Sequence, residues 1–562
     1  MSRLFLLALC ACLSLVAQTK ADLVVTHGRV YTENPKQRWA EAVAIRDGKI
    51  VFVGTDKQIE TYRGPSTQTI DAGGHLVLPG FTDAHVHFIG GSTAMQTVAL
   101  DSAETVAEIQ KRVKAFAAAH PDKKVITGYG WMYPVFGKAA LPNKKILDEV
   151  VPDRPVVLSA YDHHTTWANS KALEMADINK ATPNPLNGTI VRDPATGEAT
   201  GALKESAGGL VERLVPRPSH AELLGALREG LREANRQGIV RVHSAGGDGE
   251  QVELFDELRR DGQLTVRFYM ALFAPVPELT PAFLDKAEKL RRTHNDDWIS
   301  GGAIKFYTDG VIESHTAAML APYSDDPKLS GQLNWPPDKF IKAVAELDKR
   351  GYQIFTHSIG DRGIRLSLDA YENAQKVNGT KDARYRVEHI EDPDPADIPR
   401  FGKLGVIASM QPLHAYPNAD VLDVWARNVG PQRAQHAWPW RSIAASGGRL
   451  AFGSDWPVVT INPWQGIQNL LTRQTVEGNP PGGWIPQECI TLEQSIAGYT
   501  LGAAYAGKRE KTEGSLEVGK LGDLIVVSQN LFDVPAREVG KTQVLYTVVG
   551  GKVVYNAARN GR

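Results

Sequence analysis

Cysteine is scarce in this chain, with three residues among 562. Cys10 and Cys12 lie in an N-terminal segment that we expect to be removed, which leaves Cys489 alone. A single thiol cannot form an intrachain disulfide, so a disulfide-stabilised fold is excluded. The apolar fraction of 42% is sufficient for a large hydrophobic core. We therefore expect Cys489 to be packed rather than catalytic.

Net charge is also nearly absent. The chain has 63 basic and 64 acidic residues, which gives a formal charge of −1. No basic stripe with interleaved aromatic side chains stands out, and a nucleic-acid partner is therefore not expected. Repeats and low-complexity segments do not stand out either. The composition is that of an ordinary globular protein.

The apolar run at the N-terminus, residues 4–16, is too short to span a bilayer. Arg3 precedes it, and the small-residue segment Thr19-Lys20-Ala21 follows it. This order is typical of a secretory signal peptide cut after Ala21. It predicts a secreted or periplasmic protein with no stable membrane insertion after cleavage. A buried N-terminal helix is the alternative.

The most informative feature that is present is the motif His85-Val86-His87, which follows an apolar run and a Pro79-Gly80 turn. If this run is a strand, the side chains at positions i and i+2 point the same way. Both imidazoles could then bind one metal ion. Two unrelated strand histidines would give the same pattern, so the motif needs support from the rest of the chain.

Other apolar runs also end in residues that can bind a metal. His357, His389 and Asp455 each follow such a run, and Lys305 lies in a strand that should be buried. Strand-like and helix-like runs alternate between them, with helices expected near 221–236 and 339–350. Catalytic groups of a (β/α)8 TIM barrel gather at the C-terminal ends of its strands. The pattern therefore favours an α/β fold with such a barrel.

Both ends of the chain are rich in short strands. Asp47-Gly48 and Gly550-Gly551 each predict a turn between two strands. Each end alone has too few strands to close a core, so we expect one small β-sandwich built from both. The predicted organisation is a signal peptide at 1–21, a composite sandwich at 22–78 and 490–562, and a barrel at 79–489 with a cap inserted at about 125–216.

These motifs together resemble the amidohydrolase superfamily and, more narrowly, amidohydrolase family 3. The resemblance covers nearly the whole chain after the signal segment. Asp162-His163-His164 departs from the family pattern, which usually has glycine at the second position. Further matching segments are Gly128–Trp131, Trp167–Leu173, Arg192–Glu198, Met410–His414 and Tyr499–Ala504.

The resemblance implies a site with two divalent metal ions, for which zinc fits the ligand types. Carried over by motif, Lys305 is the fourth-strand ligand, carboxylated by CO₂ so that it bridges the metals as an anion. A salt-bridged structural lysine is the alternative for this residue. The full set of implied metal ligands is His85, His87, Lys305, His357, His389 and Asp455.

The expected activity is hydrolysis of a C–N bond other than a peptide bond, in a small-molecule amide, N-formyl compound or cyclic amide. A metal-activated water attacks, and Asp455 is the catalytic proton shuttle. The same site could instead cleave an ester, lactone or carbamate. A binding protein that has lost catalysis is a third alternative. A homo-oligomer is compatible with the sequence.

The residues expected to bind substrate are Trp131, Asp162, His164 and His414, with packing inside the cap as the alternative for the first three.

Overall fold

Eight parallel strands form the central sheet of the fold. The computed structural model describes residues 20–560 apart from 101, 138–140, 162–164, 186–187, 248 and 250. In the sheet each strand pairs with the next one along the chain. The strands are β1 (Phe81–Val86), β2 (Ile239–Ser244), β3 (Arg267–Phe273), β4 (Ile299–Tyr307), β5 (Gln353–Ser358), β6 (Arg386–His389), β7 (Ile407–Met410) and β8 (Arg449–Phe452).

The first and last strands meet and nearly close the sheet into a barrel. The backbone N–H of Asp455 donates to the carbonyl of His85 over 2.7 Å. The Asp83 carboxylate accepts from the backbone N–H of Ser454 at 3.0 Å and from its hydroxyl at 2.5 Å. The predicted TIM barrel is therefore confirmed, and its seam lies beside the predicted ligands.

Helices surround the barrel and bury one apolar face each, as parallel strands with crossover connections require. The first of them, His220–Arg236, begins with a capping box between Ser219 and Glu222. The remaining helices against the barrel are Gln251–Arg260, Pro281–Thr293, Pro337–Lys349, Asp361–Asn378, Ile398–Leu404, Trp440–Ala445, Pro463–Thr472, Leu492–Tyr499 and Leu501–Ala506. Shorter helical segments are Phe88–Ala94, Pro412–Ala415, Asp420–Trp425, Ala426–Val429, Pro431–Ala434 and Pro486–Glu488.

A second, six-stranded sheet is inserted between β1 and the helix His220–Arg236. It begins earlier than the predicted residue 125, because Val98–Ala99 pairs with Ile126–Trp131 and the helix Val106–Ala119 packs on the same core. In spatial order the strands are Gly188–Arg192, Ala199–Glu205, Thr165–Ala168, Val156–Ala160, Ile126–Trp131 and Val98–Ala99. Its other helical segments are Tyr133–Phe136, Lys144–Asp148, Ser170–Met175 and Gly209–Glu212.

Both ends of the chain contribute to a β-sandwich. Its four-stranded sheet has the order Lys49–Gly54, Ala42–Arg46, Leu23–Thr26 and Gln68–Asp71. Its six-stranded sheet has the order Lys552–Asn556, Val544–Val549, Leu524–Val527, Leu76–Pro79, Arg29–Tyr31 and Trp39–Ala40. Short helical segments at its edges are Asp56–Ile59, Glu60–Tyr62, Ala536–Lys541 and Ala557–Asn560. Val25, Val77 and Leu524 share a buried core between the sheets.

The C-terminal boundary of the barrel lies later than predicted. Ala503 and Ala506 pack in one buried cluster with Ala84 and Ala451 of the barrel. The segment just after residue 490, which we expected in the sandwich, is therefore part of the barrel layer as far as Ala506. Among the described residues, no helix combines the length and the apolar character needed to cross a membrane.

Two buried ion pairs join the barrel to the segment that follows it. Arg267 of β3 contacts the Asp523 carboxylate through Nε at 2.8 Å and Nη2 at 3.0 Å. Arg241 of β2 contacts Glu513 through Nε at 2.7 Å. All four side chains are at least 95% buried. Buried charges are tolerated only when paired in this way, so these contacts fix how the two parts meet.

Candidate metal centre and active site

Asp455 lies at the centre of a cluster of histidines at the C-terminal end of the barrel. It follows β8, and its carboxylate is almost fully buried. Four imidazole nitrogens approach its two oxygens. The distances are 3.2 Å from His87 Nε2, 3.4 Å from His85 Nε2, 3.5 Å from His414 Nε2 and 4.0 Å from His389 Nδ1. The carboxylate is therefore surrounded by potential ligands from three segments of the barrel.

These residues form two groups that fit divalent cations. His85, His87 and Asp455 make the first, and His389, His414 and Asp455 the second, with the ligand atoms of each within 4.8 Å of one another. Two ligands on one tetrahedral zinc lie about 3.4 Å apart, close to the distances found here. Three buried atoms of these two groups have no hydrogen-bond partner within the described structure: Asp455 Oδ1, His389 Nδ1 and His414 Nε2. Unsatisfied buried polar atoms are costly, and a metal ligand role accounts for them.

Lys305 reaches the same cluster from β4. Its Nζ lies 3.3 Å from His85 Nε2 and 4.7 Å from the centroid of the Tyr307 ring. The side chain is 99% buried. Burial lowers the pKa of the Lys305 amine to about 8, because the ammonium ion is poorly solvated there. A neutral amine beside the histidines is therefore accessible near neutral pH.

His357, at the end of β5, lies beside the cluster but belongs to neither group. Its ring centroid is 4.4 Å from that of His389. Its Nε2 is 3.1 Å from the carbonyl oxygen of Gly310, which accepts a hydrogen bond only if Nε2 carries the proton. Nδ1 is then the nitrogen left to bind a metal. Burial and the nearby Lys305 charge lower the pKa of His357 to about 3, which keeps the ring neutral.

The backbone is in the left-handed region at two site residues. His389 has φ 74° and Asp455 has φ 64°, and Ile390 follows with φ 54°. Residues other than glycine rarely adopt this conformation, and each instance costs about 1–3 kcal/mol. The left-handed conformation at His389 interrupts the normal alternation of strand side chains. The neighbouring side chains of Glu388 and His389 can therefore both reach the cluster. Such strain is typical of functional sites.

Two glutamates that flank His389 orient other histidines, and we did not predict them. Glu388 Oε2 is 2.5 Å from His85 Nδ1, and Glu391 Oε1 is 3.4 Å from His414 Nδ1. Burial lowers the pKa of His414, but the Glu391 hydrogen bond and the nearby Asp455 charge outweigh it, so the pKa is raised. Carboxylates next to a candidate ligand histidine were the sequence signal that could have identified them.

The residues expected to bind substrate have different positions. Trp131 is fully buried in the core of the inserted sheet, packs against Trp167, and donates its indole N–H to the Leu158 carbonyl at 3.1 Å. Its position does not support a substrate contact, because the aromatic side chain serves the apolar core. Asp162 and His164 lie outside the described residues. His414 lies in the cluster itself, as a candidate ligand.

A family comparison agrees with this geometry. The model of the Amidohydrolase family matches residues 68–555. The chain belongs to the amidohydrolase family. This amidohydrolase is 33% identical over 550 residues to Protein LONG AFTER FAR-RED 3 of Arabidopsis thaliana, covering 95% of this chain and 92% of that protein. It is 26% identical over 544 residues to N-substituted formamide deformylase of Arthrobacter pascens, covering 95% and 98%.

Solved structures share the fold of this amidohydrolase. An uncharacterized metal-dependent hydrolase from Pyrococcus horikoshii OT3 has a TM-score of 0.72 at 22% identity, covering 92% of this chain and 99% of that one. A second, from Pyrococcus furiosus, has a TM-score of 0.70 at 23% identity, covering 90% and 99%. These likenesses show the fold, while the family match and the two ligand groups identify the chain as a metal-dependent hydrolase that acts on a small molecule.

Proposed function

We propose that this amidohydrolase hydrolyses the C–N bond of an amide, N-formyl compound or cyclic amide. The observation that carries the proposal is Asp455, a buried carboxylate shared by both ligand groups. A relative of matching length is an N-substituted formamide deformylase, which supports a C–N bond as the target. Water adds to the carbonyl carbon, the C–N bond breaks, and a carboxylic acid and an amine are released.

Two zinc ions are proposed to bind to the residues of the two ligand groups, which are His85, His87, His389, His414 and Asp455. The sequence motifs suggest two further ligands, His357 and a carboxylated Lys305. Ions held there would polarise the substrate carbonyl and lower the pKa of the attacking water. The protein holds the ligand side chains in fixed orientations, and the buried side chains around them exclude most water from the site.

Asp455 is proposed to move the proton. Burial alone would raise its pKa, but contacts with His85 and His87 hold the pKa well below its usual range. The carboxylate is therefore ionised at neutral pH and can take a proton from the attacking water. It then returns that proton to the nitrogen of the leaving amine, so that no unstable amide anion is released.

The proposed reaction is tested with matched substrates. The zinc-loaded enzyme is offered N-formyl, N-acyl and imide compounds together with esters of the same acyl groups, and kcat/KM is measured for each. We expect at least one amide-type compound to be preferred over its matched ester. Hydrolysis of esters, lactones or carbamates alone would contradict the assignment of a C–N bond.

We predict that the purified protein contains about two transition-metal ions per chain, because one tetrahedral ion cannot use all the clustered ligands. Elemental analysis of enzyme prepared without chelator measures this content. Removing the metal with a chelator should abolish activity, and adding zinc should restore it. A metal content near zero in active enzyme would refute the metal mechanism.

We also propose that the chain is exported and cut after Ala21, on the evidence of the charged start, short apolar run and small-residue site. N-terminal sequencing of protein from the native host should give Asp22 as the first residue. A cytoplasmic protein that still begins at Met1 would refute export.

A further inference from the structure

Arg386 joins four strands through the interior of the barrel. It lies on β6 and is fully buried. Its guanidinium contacts the Glu388 carboxylate through Nε at 2.8 Å and Nη2 at 3.0 Å. It also donates to the Ala84 carbonyl on β1 at 2.6 Å. Further donations reach Ser409 Oγ on β7 at 2.8 Å and His243 Nδ1 on β2 at 3.0 Å.

The carboxylate that Arg386 holds is the one that contacts His85. Glu388 Oε2 lies 2.5 Å from His85 Nδ1, and both side chains are at least 99% buried. An ionised carboxylate can only accept a hydrogen bond, so Nδ1 of His85 must carry the proton. The lone pair is then on Nε2, the nitrogen that faces Asp455 Oδ1 at 3.4 Å.

We propose that Arg386 and Glu388 form a positioning pair that fixes the tautomer and direction of His85, so that Nε2 is offered to the metal. Arg386 acts on both sides of this histidine. It orients the carboxylate that binds the ring, and it holds the carbonyl of Ala84, the residue immediately before His85. The inference rests on the proposed function, since it needs a metal at His85.

A purely structural role is the competing explanation, and the chain offers a matched control for it. Arg241 and Glu513 also form a buried pair, with 1% and 5% of their side chains exposed and a contact of 2.7 Å. Within the described part of the chain, the side chain of Arg241 donates hydrogen bonds to Glu513 and to the Asp297 carbonyl, and not to a histidine of the cluster. If both pairs only stabilise the fold, equivalent substitutions should have equivalent consequences. If the first pair positions His85, only its loss should weaken metal binding.

The experiment compares Glu388→Gln and the double variant Arg386→Gln/Glu388→Gln with Glu513→Gln and Arg241→Gln/Glu513→Gln. Zinc affinity is measured by competition with a chromophoric chelator, and Tm is measured without metal. Each single substitution leaves a buried arginine unpaired, so the Tm should fall for Glu388→Gln and for Glu513→Gln. The double variants carry no unpaired charge, so their Tm should lie closer to that of the parent.

Zinc affinity should change in the Glu388 variants but not in the Glu513 variants. We expect both Glu388 variants to bind zinc about 10–100-fold more weakly than the parent, because the neutral glutamine amide is a weaker acceptor for His85 Nδ1–H. Both Glu513 variants should bind zinc as the parent does. A double variant Arg386→Gln/Glu388→Gln with parental zinc affinity would overturn the positioning role. A parent protein that binds no zinc would instead overturn the proposed function, so the two failures are distinguishable.

Discussion

Replacing Lys305 by alanine is expected to lower kcat by roughly 10²-fold or more, because the site would lose the anionic ligand that a carboxylated Lys305 is proposed to supply. Lys305 is buried, and its Nζ lies 3.3 Å from His85 Nε2. An ammonium ion there would repel metal ions, whereas a carbamate would bind them. Burial has already lowered the pKa of this amine to about 8, which favours the neutral form needed for carboxylation.

The proposed carbamate would need no reactant other than CO₂. The neutral nitrogen of Lys305 attacks the carbon, a new N–C bond forms, one C=O electron pair moves to oxygen, and the nitrogen releases a proton to water. Lys305→Ala cannot react in this way, but it leaves space in which a short carboxylate could bind. Added acetate or propionate should therefore restore part of the lost activity.

Lys305→Arg is the matched control for this prediction. Arginine keeps the positive charge and much of the volume, but its guanidinium is not expected to form a carbamate. If Lys305 only pairs with neighbouring carboxylates, the arginine variant should keep most of its activity and short carboxylates should have no effect. Electron density for a bare lysine that points away from the metals in active enzyme would contradict carboxylation directly.

Local signals in the sequence predicted local structure well. The turns at Asp47-Gly48 and Gly550-Gly551 are both found, with positive φ at all four residues, as a two-residue hairpin loop requires. The helix expected near 221–236 is His220–Arg236, since its apolar residues repeat with the helical period. The predicted strand ends also indicated that the candidate ligands lie close together, because the parallel strands of a barrel have their C-terminal ends on one side.

Features that depend on contacts between distant segments were not predictable from the sequence alone. Val98–Ala99 pairs with Ile126–Trp131, so the inserted sheet begins earlier in the chain than the sequence predicted. Trp131 could line a pocket or fill a core, and only its neighbours decide that it fills the core. Glu388 needs the fold to bring it within 2.5 Å of His85, which is 303 residues away in the chain.

The second large effect is expected for Asp455→Asn, which should lower kcat by roughly 10²–10⁴-fold while substrate binding changes much less. Asparagine has nearly the shape of aspartate, but its neutral amide cannot take the proton from water. Asp455 is surrounded by four imidazole nitrogens at 3.2–4.0 Å, so the substitution would also weaken a candidate metal ligand. Measuring kcat together with metal content at saturating zinc separates the loss of proton transfer from the loss of metal.

Asp348→Asn is a suitable control for the substitution itself. Asp348 is also buried, and it accepts hydrogen bonds from Tyr385 and Asn378, but it lies on the outer helix Pro337–Lys349. Its variant should keep parental kcat, whatever its effect on Tm. If Asp455 merely caps the turn at Trp456-Pro457, its asparagine variant would cap that turn equally well. Full metal occupancy with kcat within a few-fold of the parent would then rule out Asp455 as the proton shuttle.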